Sequence, residues 1–209
     1  MFERILWLAI YFGVLIWSGI APKDGFTWLL EVLPALIGLL VLAITNKRFP
    51  LTRMAYWLVL VHCVILMIGG HYTYAEVPWF DSLRDALHWQ RNNYDKLGHF
   101  AQGFVPAILA REILLRLAVL RTRGWLNFIV ISICLALSAS YELLEWGVAL
   151  ASGDDAVAFL ATQGDPWDTQ SDMGFALVGA AFALIFMGKW HDRQLGRLNA
   201  AASAKNVKL

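Results

Sequence analysis

Charge is what this chain has least of. Only 16% of its 209 residues are Asp, Glu, Lys or Arg, against about 25% in an ordinary soluble domain. The formal net charge is +1, and no basic face is concentrated enough to hold phosphates, which excludes nucleic acid as a partner. Cysteine is scarce too. Cys63 and Cys134 both fall inside apolar runs, far apart and without the spacing of a metal knuckle or redox pair. They read as small packing residues.

What the chain has in excess is apolar sequence, with 59% hydrophobic residues and a mean hydropathy of +0.57. A helix needs about 20 apolar residues to cross the hydrocarbon of a bilayer. Six runs meet that length, at about 4–21, 27–45, 54–74, 97–117, 125–149 and 172–190. The expected fold is all-α, a polytopic membrane protein built as one bundle of six transmembrane helices over residues 1–190. A polar, frayed tail is expected over 191–209, and no separate soluble domain fits.

Lys and Arg are retained on the cytoplasmic side of short loops. Arg4, Lys47, Arg48, Arg53, Arg116, Arg121, Arg123, Lys189, Arg193, Arg197, Lys205 and Lys208 fall on one side; Lys23, Arg84, Arg91 and Lys96 fall on the other. Both termini are therefore expected in the cytoplasm. Gly19-Ile20-Ala21 has the small-x-small form of a signal-peptide cleavage site, but the run before it is long and rich in bulky aromatics, which favours a span. The remaining helices keep their orientation either way.

The two extracytoplasmic connections, Ala75 to Lys96 and Ala151 to Ser171, are long, and long ordered loops tend to carry function. From Trp79 to Trp89 apolar and charged residues alternate at near-helical spacing, which predicts a short amphipathic helix in the interface. Trp79, Phe80, Trp89 and Tyr94 would sit at headgroup level. The second connection opens on Gly and Asp turn signals and holds a short apolar stretch, Val157 to Leu160. Asp168 or Ser171 is expected to cap the last helix, with Gly174 and Gly179 allowing close helix approach.

The ionisable residues converge. Topology brings Glu31, Glu76, Asp95, Glu142, Glu145, Asp165, Asp168 and Asp172 to one membrane face, against His71, His99, Lys96 and Arg91. So many acids cannot all be ionised and dry; some must be protonated, hydrated or neutralised by a metal. Asp95, His99 and Gln102 share a helical face, as do Glu142 and Glu145. Glu142, Glu145, Asp95 and Lys96 are the candidate acid–base residues. His71, His99, Asp165, Asp168 and Asp172 are the candidate ligands of a divalent metal; mixed His and carboxylate donors suit zinc, manganese or iron. His62 reads as a satisfied buried histidine, His88 and His191 as exposed, and Arg111 and Glu112 as snorkelling at the cytoplasmic end of their span.

Three stretches, "NNYDKLGHFAQGFVPA", "SYELLEWG" and "TQGDPWDTQSDMGFALVGA", resemble the YjdF-type bacterial inner-membrane proteins over nearly the whole chain. Residues 95 to 180 are more loosely similar to VanZ-like membrane proteins. Their pattern is an Asp-Lys-x-x-His-Phe helix start, a Glu inside the next helix and Asp-x-x-x-Asn near the start of the last. Asp95, Lys96, His99, Phe100, Glu142 or Glu145, and Asp168 fill those positions, while Asp172 stands where Asn is usual. The first resemblance implies a multi-pass protein of the bacterial inner membrane. The second implies a cell-envelope role linked to glycopeptide resistance, with no defined reaction.

Three classes of function follow. One is a metal-dependent enzyme at the outer leaflet acting on a lipid or lipid-linked envelope substrate. Another is a proton-coupled transporter in which Glu142 and Glu145 titrate. The third is a non-catalytic binder of lipid headgroups. Membrane lipids are the expected partners in all three.

Overall fold

The computed structural model describes residues 2–120, 122–152 and 157–206. The expected Gly and Asp turn signals of the second connection, together with Arg121 and Lys208, lie outside the described residues. Those described form nine α-helices and no strand. In chain order they are α1 (Phe2–Gly19), α2 (Gly25–Thr45), α3 (Arg53–His71), α4 (Pro78–Leu87), α5 (Tyr94–Arg116), α6 (Leu126–Ser152), α7 (Val157–Leu160), α8 (Asp168–Phe182) and α9 (Gly188–Asn206). One wide, π-helical turn, Ala183–Met187, joins α8 to α9.

Helices α1, α2, α3 and α6 and the continuous rod from Asp168 to Ala200 are long and apolar enough to cross a membrane. Helix α5 is long enough, with 23 residues, but carries Asp95, Lys96, Arg111, Glu112 and Arg116. It tolerates them because it is the innermost helix: it packs on α3, α6 and most closely on α8, so its side chains meet protein rather than lipid. Helices α1 and α2 lean on α3 and expose Phe12, Ile16, Ile37 and Leu40 outward.

Local chemistry sets the helix ends. Asp24 caps α2, its Oδ1 accepting from the Thr27 N–H at 2.6 Å. That hydrogen bond holds the Asp24 carboxyl below its ordinary value. The stabilisation is therefore complete above the usual carboxylate range and is lost as pH falls through the lowered value. Asp24→Ala is expected to lower stability by about 1 kcal/mol at neutral pH, and thermal melts of the two proteins should converge in strong acid.

The amphipathic helix of the first connection forms as α4, with Pro78 at its first turn and His88 in the left-handed conformation at its end (φ 55°). Two expectations fail. Helix α8 starts at Asp168 with Trp167 at the cap and no side-chain cap bond; Asp168 is instead engaged by cations, as described below. The described part of the tail, up to Asn206, is helical rather than frayed, because α9 continues the rod and buries His191 and Leu195.

Glycine placement explains the closest packing. A Cβ on Gly103 would lie 1.8 Å from the Ala176 carbonyl oxygen, and one on Gly179 would lie 2.1 Å from that of Phe100. Helices α5 and α8 thus touch backbone to backbone. Gly174, expected to serve the same end, faces open space.

Candidate functional site

Helix α5 supplies the centre of the site. Asp95 and His99 lie one turn apart near its start, with His99 Nε2 3.4 Å from Asp95 Oδ1. Helix α8 brings Asp168 and Asp172 alongside, also one turn apart. The Lys96 ammonium bridges these two, donating to Asp168 Oδ1 and Asp172 Oδ1 at 2.7 Å each. Arg91, just before α5, donates to Asp168 at 2.5 Å and Asp165 at 3.4 Å, and its other terminal nitrogen lies 3.6 Å from Asp95. Asp95, Lys96, His99, Asp168 and Asp172 are all buried. Charges this far from water persist only when paired.

One donor atom each from Asp95, His99 and Asp172 fall within 4.8 Å of one another, close enough to hold a cation jointly. His99 Nε2 is also 3.8 Å from Asp172 Oδ1. On its other side, His99 Nδ1 is 3.0 Å from Gln102 Oε1. With that oxygen as acceptor Nδ1 carries the proton, and a cation lying between Nε2 and the two aspartates would meet the lone pair that a metal ligand needs. Glu142 of α6 is buried 3.7 Å from Nδ1, and its Oε1 has no hydrogen-bond partner among the described residues. An orphaned buried carboxylate oxygen is costly and fits a site completed by a further cation or donor.

A cavity of about 310 Å³ opens beside this cluster. Asp95 and His99 face it from α5, Glu31 from α2, His62 from α3, and Tyr141 and Glu145 from α6. The Tyr141 hydroxyl donates to Glu31 at 3.0 Å. Pro34 and Pro106 also line it; each removes the N–H that would meet the carbonyl four residues earlier, freeing the Leu30 and Gln102 oxygens at this depth.

The sequence-derived candidates divide. Asp95, Lys96, His99, Asp168, Asp172 and Glu142 come together; Glu145 lines the cavity; Asp165 reaches the cluster through Arg91. His71 does not join them. Its Nδ1 lies 2.9 Å from the Ser18 carbonyl and its ring packs on Trp17 and Tyr72, on a different side of α3. Glu76 pairs with Lys23. His62 is less satisfied than expected, its buried Nε2 lacking a partner among the described residues. Tyr94, expected at headgroup level, is instead buried with its hydroxyl donating to the Ile65 carbonyl at 3.0 Å, and Tyr74 is buried against Gly69 and Gly98.

The two long connections are clasped over the cluster. Asn92, fully buried, donates through Nδ2 to the Val77 carbonyl and to Asp81 at 3.0 Å each. Its backbone exchanges hydrogen bonds with the Gln163 amide at 3.0 and 2.9 Å.

A second buried set lies at the opposite end of α5. Glu112 and His191 are fully buried, and Arg111 is nearly so. Glu112 accepts from the Thr52 N–H at 2.9 Å, the Thr52 hydroxyl at 2.7 Å and Arg116 at 3.0 Å, with His191 Nε2 at 3.1 Å. Arg111 reaches Asp192 at 2.8 Å. The exposed His191 and snorkelling Arg111 and Glu112 expected from sequence are thus overturned. The helix continues past its apolar stretch and folds their charges inward.

Residues 3–193 match the family model described as "Predicted membrane protein (DUF2238)". The chain is 52% identical over 184 residues to the inner membrane protein YjdF of Escherichia coli strain K12, covering 88% of each chain. No solved structure matches. A match over nearly its whole length places the chain in the DUF2238 family of predicted membrane proteins.

Proposed function

We propose that this is a bacterial inner-membrane protein crossing the bilayer six times, with α5 as a span beside the five apolar ones and both termini in the cytoplasm. The polar cavity then faces the periplasm, and Asp95, His99 and Asp172 hold a divalent cation there. Zinc, manganese or iron suits one imidazole with two carboxylates. Such an ion would polarise a phosphoryl or acyl group of a lipid or lipid-linked substrate, or activate water. Glu142 and Glu145 stand beside it as proton carriers, while Arg91 and Lys96 fix Asp168 and orient the triad. The observation that carries this is the convergence of three donor atoms within 4.8 Å.

A non-catalytic headgroup binder is favoured by one contact: Lys96 already occupies Asp172 Oδ1 at 2.7 Å, so the cluster has a resident cation. Transport has less support. Between His99 and Arg111 the buried residues of α5 are Ala101, Gly103, Val105, Ala107 and Ile108, none able to relay a proton.

Metal analysis of the purified protein tests the proposal. Stoichiometric metal is expected in the wild type. Its affinity should fall in Asp172→Asn and His99→Ala by more than the roughly 10–100-fold that loss of an outer partner costs. A wild type that neither retains nor titrates metal, yet binds lipid headgroups, would establish the binder instead.

A further inference from the structure

The cavity is not closed at its apolar side. Helix α2 packs on α3 while α6 packs on α5 and α8, which leaves a groove of about 920 Å³ between α2 and α6, floored by α5. Pro34, Leu137, Tyr141 and Leu144 line both the groove and the polar cavity, so the two adjoin. The groove runs on to Thr45 and Leu117 at the far end of the bundle. From Pro34 to Thr45 it follows about 16 Å of helix axis at ~1.5 Å per residue.

We infer that this groove holds one acyl chain of a zwitterionic aminophospholipid whose headgroup enters the polar cavity. The occupant follows from the two ends of the site. The long end is lined almost wholly by hydrocarbon and offers no partner to a polar group. The short end presents Glu31, Asp95 and Glu145 together with His62 and His99, acids that offer acceptors to an ammonium group and imidazoles that offer partners to the phosphate beside it. The inference rests on the proposed function in taking the cavity as a headgroup site, and it adds the chain, the charge type and the place where the chain lies.

Gly38 gives the means to test it. It lines the groove midway along α2, and a Cβ there meets nothing within 4 Å, so Gly38→Phe puts a ring into the groove from a position with room for the added Cβ. The probe is phosphatidylethanolamine with a diazirine in one acyl chain, reconstituted in vesicles with the full chain, with phosphatidylglycerol carrying the same acyl diazirine as comparison. Adducts are mapped by mass spectrometry.

The expected result is labelling of groove residues by the ethanolamine probe above that of Ile185 and Phe186, which are exposed on the outer surface. Gly38→Phe should lower groove labelling about tenfold or more, because several methylenes lose their contacts, with Ile185 and Phe186 labelled as before. Equal labelling of the groove by both probes, or labelling unmoved by Gly38→Phe, overturns the inference. Groove labelling that persists in a metal-free protein removes the cation and keeps the lipid; metal bound stoichiometrically without groove labelling does the reverse.

Discussion

Gly103→Val is expected to yield a chain that no longer assembles as a stable bundle. The added Cβ would sit 1.8 Å from the Ala176 carbonyl oxygen, and that obstacle is backbone, so no rotamer change relieves it. Helices α5 and α8 would have to part, and the Lys96 bridge to Asp168 and Asp172 would open with them. Overpacking a core by a methylene or two costs about 1–3 kcal/mol where side chains can shift. Here they cannot, and the effect should exceed the ~4–5 kcal/mol that marks an exceptional substitution. Gly174→Val, placed in open space on the partner helix α8, should stay within about 0.5 kcal/mol of wild type. Recovery of monodisperse protein after detergent extraction, with the thermal midpoint of what survives, reads both. A Gly103→Val protein that melts with the wild type would mean that α5 and α8 do not pack as described.

Removing the carboxylate of Glu112 should produce the next largest loss. Thr52 caps α3, accepting from the Ala55 N–H through its hydroxyl oxygen at 3.3 Å, and also donates to Glu112, which meets Arg116 and His191 as well. One carboxylate therefore joins the start of α3, the end of α5 and the start of α9. In Glu112→Ala the Thr52 donors and the buried His191 lose their acceptor in a dry setting while Arg116 is left with the Pro50 carbonyl, and breaking such a buried pair costs about 3–5 kcal/mol. Glu112→Gln keeps an acceptor oxygen in place and should cost clearly less. Unfolding in a graded denaturing detergent would rank the three proteins. Equal stability of Glu112→Ala and wild type would show that water reaches this end of the bundle and solvates the charges.

The fold class could be read from hydropathy because bilayer thickness imposes its own length scale, and each expected apolar run has a helix in the structure. Residues at a helical spacing on one element were also legible: Asp95 with His99, and Asp168 with Asp172, fall on common faces as the 3.6-residue period requires. What hydropathy could not supply was rotation about the helix axis. His71 reaches the expected end of α3 but faces Trp17 and Ser18, because α1 packs on that side. His191 looked exposed because the apolar run ends at Trp190. Its burial depends on Arg111 and Glu112, 80 and 79 residues away in sequence, and no local pattern records that pairing. A charged pair inside an otherwise apolar helix was the one available signal.

The wide turn at Ala183–Met187 settles a matter of phase. Asp172 and His191 are both buried beside α5, one at each end of the rod, yet their numbers differ by nineteen. At about 3.6 residues per turn a uniform α-helix would leave them roughly a quarter-turn out of step, and one of the two would swing toward lipid. The π-helical turn takes up the surplus residue, so the rod behaves as about five whole turns and offers the same meridian to α5 at both ends. A single irregular turn in mid-membrane thereby keeps two polar clusters, separated by a dry interior, facing the same helix.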